Sequence, residues 1–314
     1  MLKLNPFNSH LKYWRVLNII LIILSFLFSS NAFSKQSAWY FTPNDINALH
    51  SRKADYRIFY GKDPLQFGDL RIPKGPAPYP IVIIIHGGCW QSQFANIENT
   101  SAFADALREM GYATWNIEYR REDNAGGGWP GTFNDVAHAA DYLQSISKRY
   151  QLDLNRVVVT GHSAGGTLAL WLAGRKNLSP KSQLYIKKPL SLLGVLAMGA
   201  PPDLKAFRGP GVDICGSDVV GKLLGNAPVM IETSYKEASP SELLPLKVPQ
   251  IFIYGINDYV VPAKYSTSYI QKAHSKGDKV EVFEEEGVGH HEYIVPNSLI
   301  WPKVKLALHS LFTN

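Results

Sequence analysis

Cysteine is scarce in this sequence, which has only Cys89 and Cys215 among its 314 residues. Two cysteines allow one intramolecular disulfide at most, so the chain is not a small scaffold held together by disulfides. Their spacing along the chain does not say how far apart they lie in space, so a bonded pair and two free thiols both remain open. The hydrophobic content of 46% indicates that a large apolar core supplies most of the stability.

The sequence also lacks long runs of like charge, internal repeats and low-complexity tracts. Its basic residues cluster no further than pairs such as Lys187-Lys188, so we expect no nucleic-acid partner. The P-loop string and the H-E-x-x-H zinc pattern are absent. Residues Gly126–Gly131 do match the dinucleotide string G-x-G-x-x-G, but they do not directly follow a predicted strand, as that motif requires. We therefore expect no cofactor and no metal.

The first 32 residues have the pattern of a secretory signal peptide. Lys3, Lys12 and Arg15 form a basic leader, Val16–Phe28 is almost wholly apolar, and Ser30-Asn31-Ala32 supplies small residues at a cleavage site. The apolar run is shorter than the roughly 20 residues of a membrane-spanning helix, so we expect no stable anchor after cleavage. The sequence thus predicts a secreted or periplasmic protein whose mature chain begins near residue 33. Cleavage would lower the formal net charge from +6 to +3.

Short apolar runs alternate with amphipathic stretches along the rest of the chain. This alternation predicts an α/β fold in which helices cover a buried, mostly parallel sheet. The predicted strands are Ile81–Ile85, Ala113–Glu118, Val157–Thr160, Leu193–Met198, Gln250–Tyr254 and Val280–Glu284. The predicted helices lie around Phe103–Met110 and Val136–Ile146, with a capping box at Thr132 and Asp135, and over Gly165–Ala173, Ala263–His274 and Leu299–Phe312.

Residues 199–248 interrupt this rhythm. The segment is rich in Pro, Gly and Ser, and long irregular segments inside a compact domain are often functional. Because it lies between two predicted strands, we expect a small cap-like insertion over the active site, without a long amphipathic lid helix.

The motif with the most chemical meaning is G-H-S-A-G at Gly161–Gly165. It follows a predicted strand and precedes a predicted helix, which is the setting of a nucleophile elbow, so we predict Ser163 as the nucleophile. The segment His86–Trp90 follows another strand and predicts an oxyanion hole built from the amides of Gly88, Cys89 and Ala164. Taken alone, the two glycines of this segment fit an ordinary strand-ending turn equally well.

A serine nucleophile needs an imidazole base and a carboxylate that orients it, and both should follow the serine in the sequence. Asp258 and His290 each come directly after a predicted strand, so we predict them as the acid and the base. The neighbouring His291 is the alternative base. The other carboxylates after the serine, Asp213, Asp218 and Glu237, follow no clear strand, and His162 is expected to fill the elbow.

Several segments together resemble bacterial α/β-hydrolases related to hormone-sensitive lipase-like esterases and kynurenine formamidases, and the likeness spans most of residues 55–312. The matching segments are His86–Trp90, Tyr119-Arg120, Gly128–Phe133 with Asp135, Gly161–Gly166, Ala238–Pro240, Leu243–Pro245, Asp258 with Val261-Pro262, and Gly289-His290. The last segment favours His290 over His291 as the base. The resemblance implies an eight-stranded, mostly parallel sheet flanked by helices, and the hydrolysis of esters or aryl formamides. Cys89 stands where lipase-like esterases usually have a third glycine.

These observations predict one α/β-hydrolase domain over residues 33–314 that cleaves short-chain carboxylic esters through an acyl-enzyme. Trp90 and Trp129 are expected to wall a compact substrate pocket, although both would also fit a core position. An aryl formamidase with the same triad is the nearest alternative, and a small exopeptidase is a third. A non-catalytic ligand-binding protein on a hydrolase scaffold is an alternative of another class.

Overall fold

A computed structural model describes residues 41–208, 214–216, 218–225 and 228–313. The predicted signal peptide of residues 1–32 and the carboxylate of Asp213 lie outside the described residues. Within the described ranges, no helix is both long enough and apolar enough to cross a membrane.

Eight strands form one sheet in the order β1-β2-β4-β3-β5-β6-β7-β8. Strand β2 runs antiparallel to both of its neighbours, and the pairs from β4 through β8 are parallel. The strands are β1 (Tyr56–Phe59), β2 (Phe67–Arg71), β3 (Tyr79–Ile85), β4 (Ala113–Ile117), β5 (Leu152–His162), β6 (Gly194–Met198), β7 (Gln250–Gly255) and β8 (Val280–Glu285). The predicted mostly parallel, eight-stranded sheet is therefore confirmed.

Helices cover the two faces of this sheet. They are α1 (Pro43–Asn47), α2 (Ser101–Glu109), α3 (Gly131–Tyr150), α4 (Ala164–Gly174), α5 (Val219–Leu224), α6 (Pro228–Ala238), α7 (Lys264–Ser275) and α8 (Trp301–Thr313). All of the predicted helices are present, with ends displaced by a few residues. Strands β1 and β2 were not predicted, because they are short and β2 is buried throughout, so neither shows a clear alternation of polar and apolar residues.

Successive residues of the central strands point to opposite faces and build two separate cores. In β3, Ile81 and Ile83 face the core formed with α3, α4, α5 and α7, whereas Val82 and Ile84 face the core formed with α2 and α8. These strands are therefore apolar on both faces, as expected of a parallel sheet covered by helices on both sides.

The parallel register brings the carboxyl ends of the central strands together at one edge of the sheet. Ile85, the last residue of β3, pairs with Gly161 of β5, and His162 pairs with Met198 of β6. The loops that follow these strands therefore emerge side by side. In open parallel sheets, this edge is where ligands bind.

The predicted irregular character of residues 199–248 is wrong in one respect, because the segment contains the helices α5 and α6. Leu223, Leu224 and Ala238 are buried in the core on the α4 side of the sheet, and the backbone amide of Trp129 donates to the carbonyl of Leu223 over 2.7 Å. This part of the insertion is therefore held by apolar side chains buried in the core and is not a free cap.

The predicted capping box of Thr132 and Asp135 is also wrong. Helix α3 begins after Pro130 without a side-chain cap. The Thr132 hydroxyl instead donates to the carbonyl of Arg120 over 2.5 Å, and the Arg120 guanidinium donates twice to Asp135, over 2.7 and 2.8 Å. The two residues therefore tie the loop after β4 to the start of α3.

Candidate active site

Ser163 occupies the sharp turn between β5 and α4. Its φ of 55° and ψ of −125° are unusual for a residue with a side chain, as expected of a nucleophile elbow. The Ser163 amide donates to the carbonyl of Met198 over 2.8 Å, which fixes the turn to the neighbouring strand. Gly165 allows the close approach of the next strand, since a Cβ at this position would lie 2.1 Å from the carbonyl oxygen of Ile85.

The loop after β3 runs directly against this turn. A Cβ on Gly87 would lie 2.8 Å from the His162 carbonyl oxygen and 3.1 Å from Cβ of Ser163, so only glycine fits there. Gly88 and Cys89 have φ values of 95° and 53°, and both residues line the same cavity as Ser163. The structure therefore places the two loop residues predicted for the oxyanion hole beside the predicted nucleophile, and Ala164 directly follows it at the start of α4.

A buried ionic network supports this loop, and the sequence did not predict it. His86 Nε2 lies 2.9 Å from Glu118 Oε1, which also accepts from the Arg121 guanidinium over 2.8 Å, while Glu118 Oε2 accepts from the Ile97 amide. Burial raises the pKa of Glu118, but His86 and Arg121 outweigh this effect and hold its pKa below the ordinary value. An acidic residue at the end of a buried strand was the available signal. The ionised Glu118 carboxylate thus holds His86, the first residue of the loop after β3, in place.

Asp258 and His290 form a buried pair at the ends of β7 and β8. His290 Nδ1 lies 2.8 Å from Asp258 Oδ2, and the other oxygen, Oδ1, accepts from the amides of Val260 and Val261 over 2.9 Å each. The Tyr293 hydroxyl, which the sequence did not single out, donates to Asp258 Oδ2 over 2.9 Å. Burial raises the pKa of Asp258, but His290 and these hydrogen bonds outweigh it and lower the pKa below its ordinary value. The carboxylate is thus ionised and fully hydrogen-bonded.

Two further histidines surround His290. His162 Nε2 donates to the His290 carbonyl over 2.7 Å, and the two rings lie 4.6 Å apart between centroids. Burial and the neighbouring His290 and His291 lower the pKa of His162 well below its ordinary value, and burial together with His290 lowers the pKa of His291 to about 4. Both are therefore neutral near pH 7. The structure joins His290, and not His291, to Asp258.

Ser163 and His290 face a common cavity of about 350 Å³. Other residues that line it are Phe94, Ala95, Asn99, Ile214, Tyr259 and Val260. These residues lie outside the strands and α-helices, and the sequence pattern did not connect them to the site.

Neither tryptophan predicted for the pocket wall lines this cavity. Trp90 is buried, and its indole nitrogen donates to the Ala164 carbonyl over 3.2 Å. Trp129 packs its ring edge-on against Phe133, 5.3 Å away between centroids. Trp90 is part of the core and Trp129 packs against it, so both take the core position that was the alternative left open by the sequence.

The remaining candidates have structural partners elsewhere. Asp218 caps the first turn of α5 by accepting from the Gly221 amide, and Glu237 accepts from the Ser182 hydroxyl. Residues Gly126–Gly131 form the turn that leads into α3 and do not follow a strand directly. In the described ranges, no group of three or more His, Cys, Asp or Glu side chains is arranged to hold a metal ion.

Cys89 and Cys215 form a disulfide, with their Cα atoms 5.6 Å apart. The Gln91 side chain also donates to the Cys215 carbonyl over 3.3 Å. The predicted oxyanion loop is thereby tied to the insertion next to Ile214, which lines the cavity. The question that the sequence left open is answered in favour of the bonded pair.

Removing this disulfide should lower the stability of the protein. The bond spans 126 residues, and closing a long loop typically stabilises a fold by about 2–4 kcal/mol. We therefore expect Cys215→Ala to lower the melting temperature measured by calorimetry, and reductant to lower that of the wild type but not that of the variant. Quantitative alkylation of both cysteines in unreduced wild-type protein would contradict the bond.

The fold and the site geometry define an α/β-hydrolase. A family model described as BD-FAE matches residues 69–273, and the chain belongs to this family. The matched region contains Ser163 and Asp258 and ends before His290. This result confirms the resemblance inferred from the sequence.

Individual relatives agree with this assignment. Esterase LipC of Mycobacterium tuberculosis is 26% identical over 261 residues, covering 79% of this chain and 63% of LipC. Kynurenine formamidase avaC of Aspergillus versicolor is 33% identical over 131 residues, covering 38% of this chain and 44% of that protein. This chain thus spans less than two thirds of the length of either relative. The crystal structure of esterase B from Lactobacillus rhamnosis superposes with a TM-score of 0.72 at 19% identity, covering 86% of this chain and 89% of that one, and shares the fold.

Proposed function

We propose that the protein is an exported serine hydrolase that cleaves short-chain carboxylic esters through an acyl-enzyme. The observation that carries this proposal is the buried hydrogen bond of 2.8 Å between His290 and Asp258 on a cavity that Ser163 also lines from a strained turn. Serine is a poor nucleophile unless a positioned imidazole removes its proton, and we assign this role to His290, which lines the same cavity.

In the proposed reaction, Ser163 Oγ attacks the ester carbonyl carbon while His290 Nε2 accepts the hydroxyl proton. Asp258 accepts from Nδ1–H, which leaves Nε2 free as the base and stabilises the imidazolium that forms. Collapse of the tetrahedral intermediate breaks the bond to the alcohol, which takes the proton from His290. Water then attacks the acyl-enzyme with His290 again as base, and releases the acid and free Ser163.

The developing oxyanion is proposed to bind the amides of Gly88, Cys89 and Ala164. The close packing of Gly87 on Ser163 supports this assignment because it holds the loop beside the reacting centre. The structure forms no hydrogen bond between Ser163 Oγ and His290 Nε2. Such contacts are often long in ligand-free sites and shorten when substrate binds.

A panel of chromogenic esters tests the proposed activity. The cavity volume of about 350 Å³ lies at the lower end of ligand pockets, which range over roughly 300–1,000 Å³. Each methylene that finds no room forfeits about 0.8 kcal/mol of binding. We therefore expect kcat/KM to be highest for acetyl and butyryl esters and to decline clearly by about ten carbons. A steady rise toward long chains, or activation at a lipid interface, would favour a true lipase.

An aryl formamidase is the second candidate. Its support is the relative named kynurenine formamidase, together with Phe94 and Tyr259, whose rings at the cavity could contact an aryl group. The same nucleophile and base would transfer a formyl group. Turnover of N-formylkynurenine well above that of the best ester would move the assignment to this activity. Absence of turnover for every ester and amide would favour the non-catalytic binding protein.

Activity should fall on the acid side of neutrality. A histidine base must be neutral to accept the serine proton, so its protonation at low pH removes the base. The lowered pKa values of His162 and His291 keep both neutral near pH 7, and the lowered pKa of Asp258 keeps it ionised. We therefore expect kcat/KM to show one acid limb that belongs to the base, with no contribution from His162, His291 or Asp258 near neutrality. A profile that stays flat to about pH 4 would exclude a histidine base.

The lowered pKa of His291 also bears on whether the loss of activity and acid unfolding occur at the same pH. Because the folded-state pKa of His291 is about 4, below its unfolded value of about 6.5, the stability that it contributes is present above about pH 6.5 and is lost as the pH falls toward 4. We therefore expect the first loss of activity on the acid side of neutrality to be reversible, with the melting temperature falling mainly as the pH approaches 4.

Export is supported by the basic leader and apolar run within residues 1–32 and by the disulfide, since disulfides persist in oxidising compartments. The mass of the protein recovered from the periplasm or the medium tests this. We expect a chain that begins near residue 33, and recovery only of uncleaved protein in the cytoplasm would contradict export.

A further inference from the structure

Asn99 presents a polar side chain to the cavity that the proposed reaction does not use. It lies in the 3₁₀ turn Ile97–Thr100, and the residue is only 7% exposed. Within the part of the chain that the structure describes, its side-chain amide makes no hydrogen bond. The amide atoms are not enclosed by the protein, so they are open to the cavity, where a bound group can hydrogen-bond to them.

The turn itself does not require this amide. Asn96 caps the turn, because its Oδ1 accepts from the Glu98 amide over 2.8 Å. Asn116 makes two side-chain hydrogen bonds to the turn. Its amide donates to the Ile97 carbonyl over 3.1 Å, and its Oδ1 accepts from the Thr100 hydroxyl over 2.7 Å. The neighbouring polar side chains thus satisfy one another, whereas the Asn99 amide faces the cavity.

The cavity defines the kind of group that this amide would meet. Among the described residues that line it, none is Asp, Glu, Lys or Arg, and His291 is neutral because its pKa is about 4. Phe94, Ile214 and Tyr259 supply apolar walls. A charged substrate group would find no counter-ion there, whereas an uncharged hydrogen-bonding group would find both the donor and the acceptor of an amide.

We propose that Asn99 is a specificity-determining residue that hydrogen-bonds an uncharged hydroxyl or amide group carried by the ester substrate. This inference rests on the proposed esterase function and narrows its substrates to esters with a polar substituent near the carbonyl. A site built around such a hydrogen bond disfavours an analogue that lacks the group, because its own polar atoms are then left unpaired.

Two matched ester pairs test the proposal. Glycerol 1-acetate and n-propyl acetate differ only by hydroxyls on the alcohol half, and methyl 3-hydroxybutyrate and methyl butyrate differ only by a hydroxyl on the acyl half. We expect the wild type to favour the hydroxylated member of at least one pair. Asn99→Leu, which has a similar shape without polar atoms, should lower that preference in kcat/KM about tenfold, the loss expected for one hydrogen bond.

Asn99→Ser provides the matched rescue, since its hydroxyl keeps a donor and an acceptor and should restore part of the preference. If Asn99→Leu fails to fold, the comparison of Asn99→Ser with Asn99→Ala gives the same contrast. If the Asn99→Leu variant keeps a preference within twofold of that of the wild type for both ester pairs, the proposed role of Asn99 is wrong. The proposed esterase function would not be affected by this result. If the wild type hydrolyses none of the four esters, the proposed esterase function is wrong, and this inference with it.

Discussion

Replacing Ser163 by alanine should lower kcat by roughly four to six orders of magnitude, as loss of the nucleophile does in other serine hydrolases. The physical reason is that, among the described residues that line the cavity, Ser163 is the only serine or threonine and Cys89 is held in a disulfide, so only a slow attack by water remains. Steady-state turnover of a chromogenic acetyl ester measures the effect. The variant should keep its fold, because the Ser163 amide and not its hydroxyl bonds to the Met198 carbonyl.

A residual rate within tenfold of the wild type would contradict the nucleophile assignment. Far-ultraviolet circular dichroism and the melting temperature are the controls, since a collapsed elbow would lower activity for an unrelated reason. An unchanged melting temperature together with the loss of turnover assigns the effect to chemistry.

Replacing His290 by alanine should produce a loss of similar size, because the Ser163 hydroxyl would then have no base. His291 offers a matched control, since it adjoins His290 and lines the same cavity but makes no hydrogen bond to Asp258. We expect His291→Ala to retain rates within about tenfold of the wild type under the same assay. The reverse pattern, with His291→Ala inactive and His290→Ala near normal, would transfer the role of base to His291.

Local sequence signals predicted Ser163, Asp258 and His290 because each stands near a strand end. Ser163, Asp258 and His290 directly follow or lie just beyond strands, and the carboxyl ends of parallel strands share one edge of the sheet. The order and direction of the strands were therefore enough to predict that these residues lie close together. The glycines around Ser163 gave a second signal, since close approach of two backbones requires them.

The pocket wall could not be predicted in this way. Phe94 and Asn99 follow β3 closely, whereas Ile214 lies much later in the chain, in the insertion, and their shared cavity depends on how these segments pack. Trp90 and Trp129 were expected there because of their position after strands, but the direction of a side chain in a loop follows from tertiary packing. The support that Tyr293 gives to Asp258 was missed for the same reason.

The fold likewise contains some elements that local sequence patterns predicted and others that they did not. Long apolar runs such as those of β3 and β5 were recognised because burial on both faces leaves a continuous signal. Strands β1 and β2 are short, and α5 and α6 lie in a segment whose Pro and Gly content suggested irregular structure. Their formation depends on burial against the existing sheet, which local patterns do not reveal.

The most direct test of the central claim is mass spectrometry of the enzyme quenched with acid during turnover of an acetyl or butyryl ester. Peptide mapping should locate an acyl group on the peptide that contains Ser163, and the adduct should disappear as substrate is exhausted. No acyl group should form in Ser163→Ala. An acyl group on another residue, or steady turnover with no acylated protein and with Ser163→Ala still active, would contradict the account.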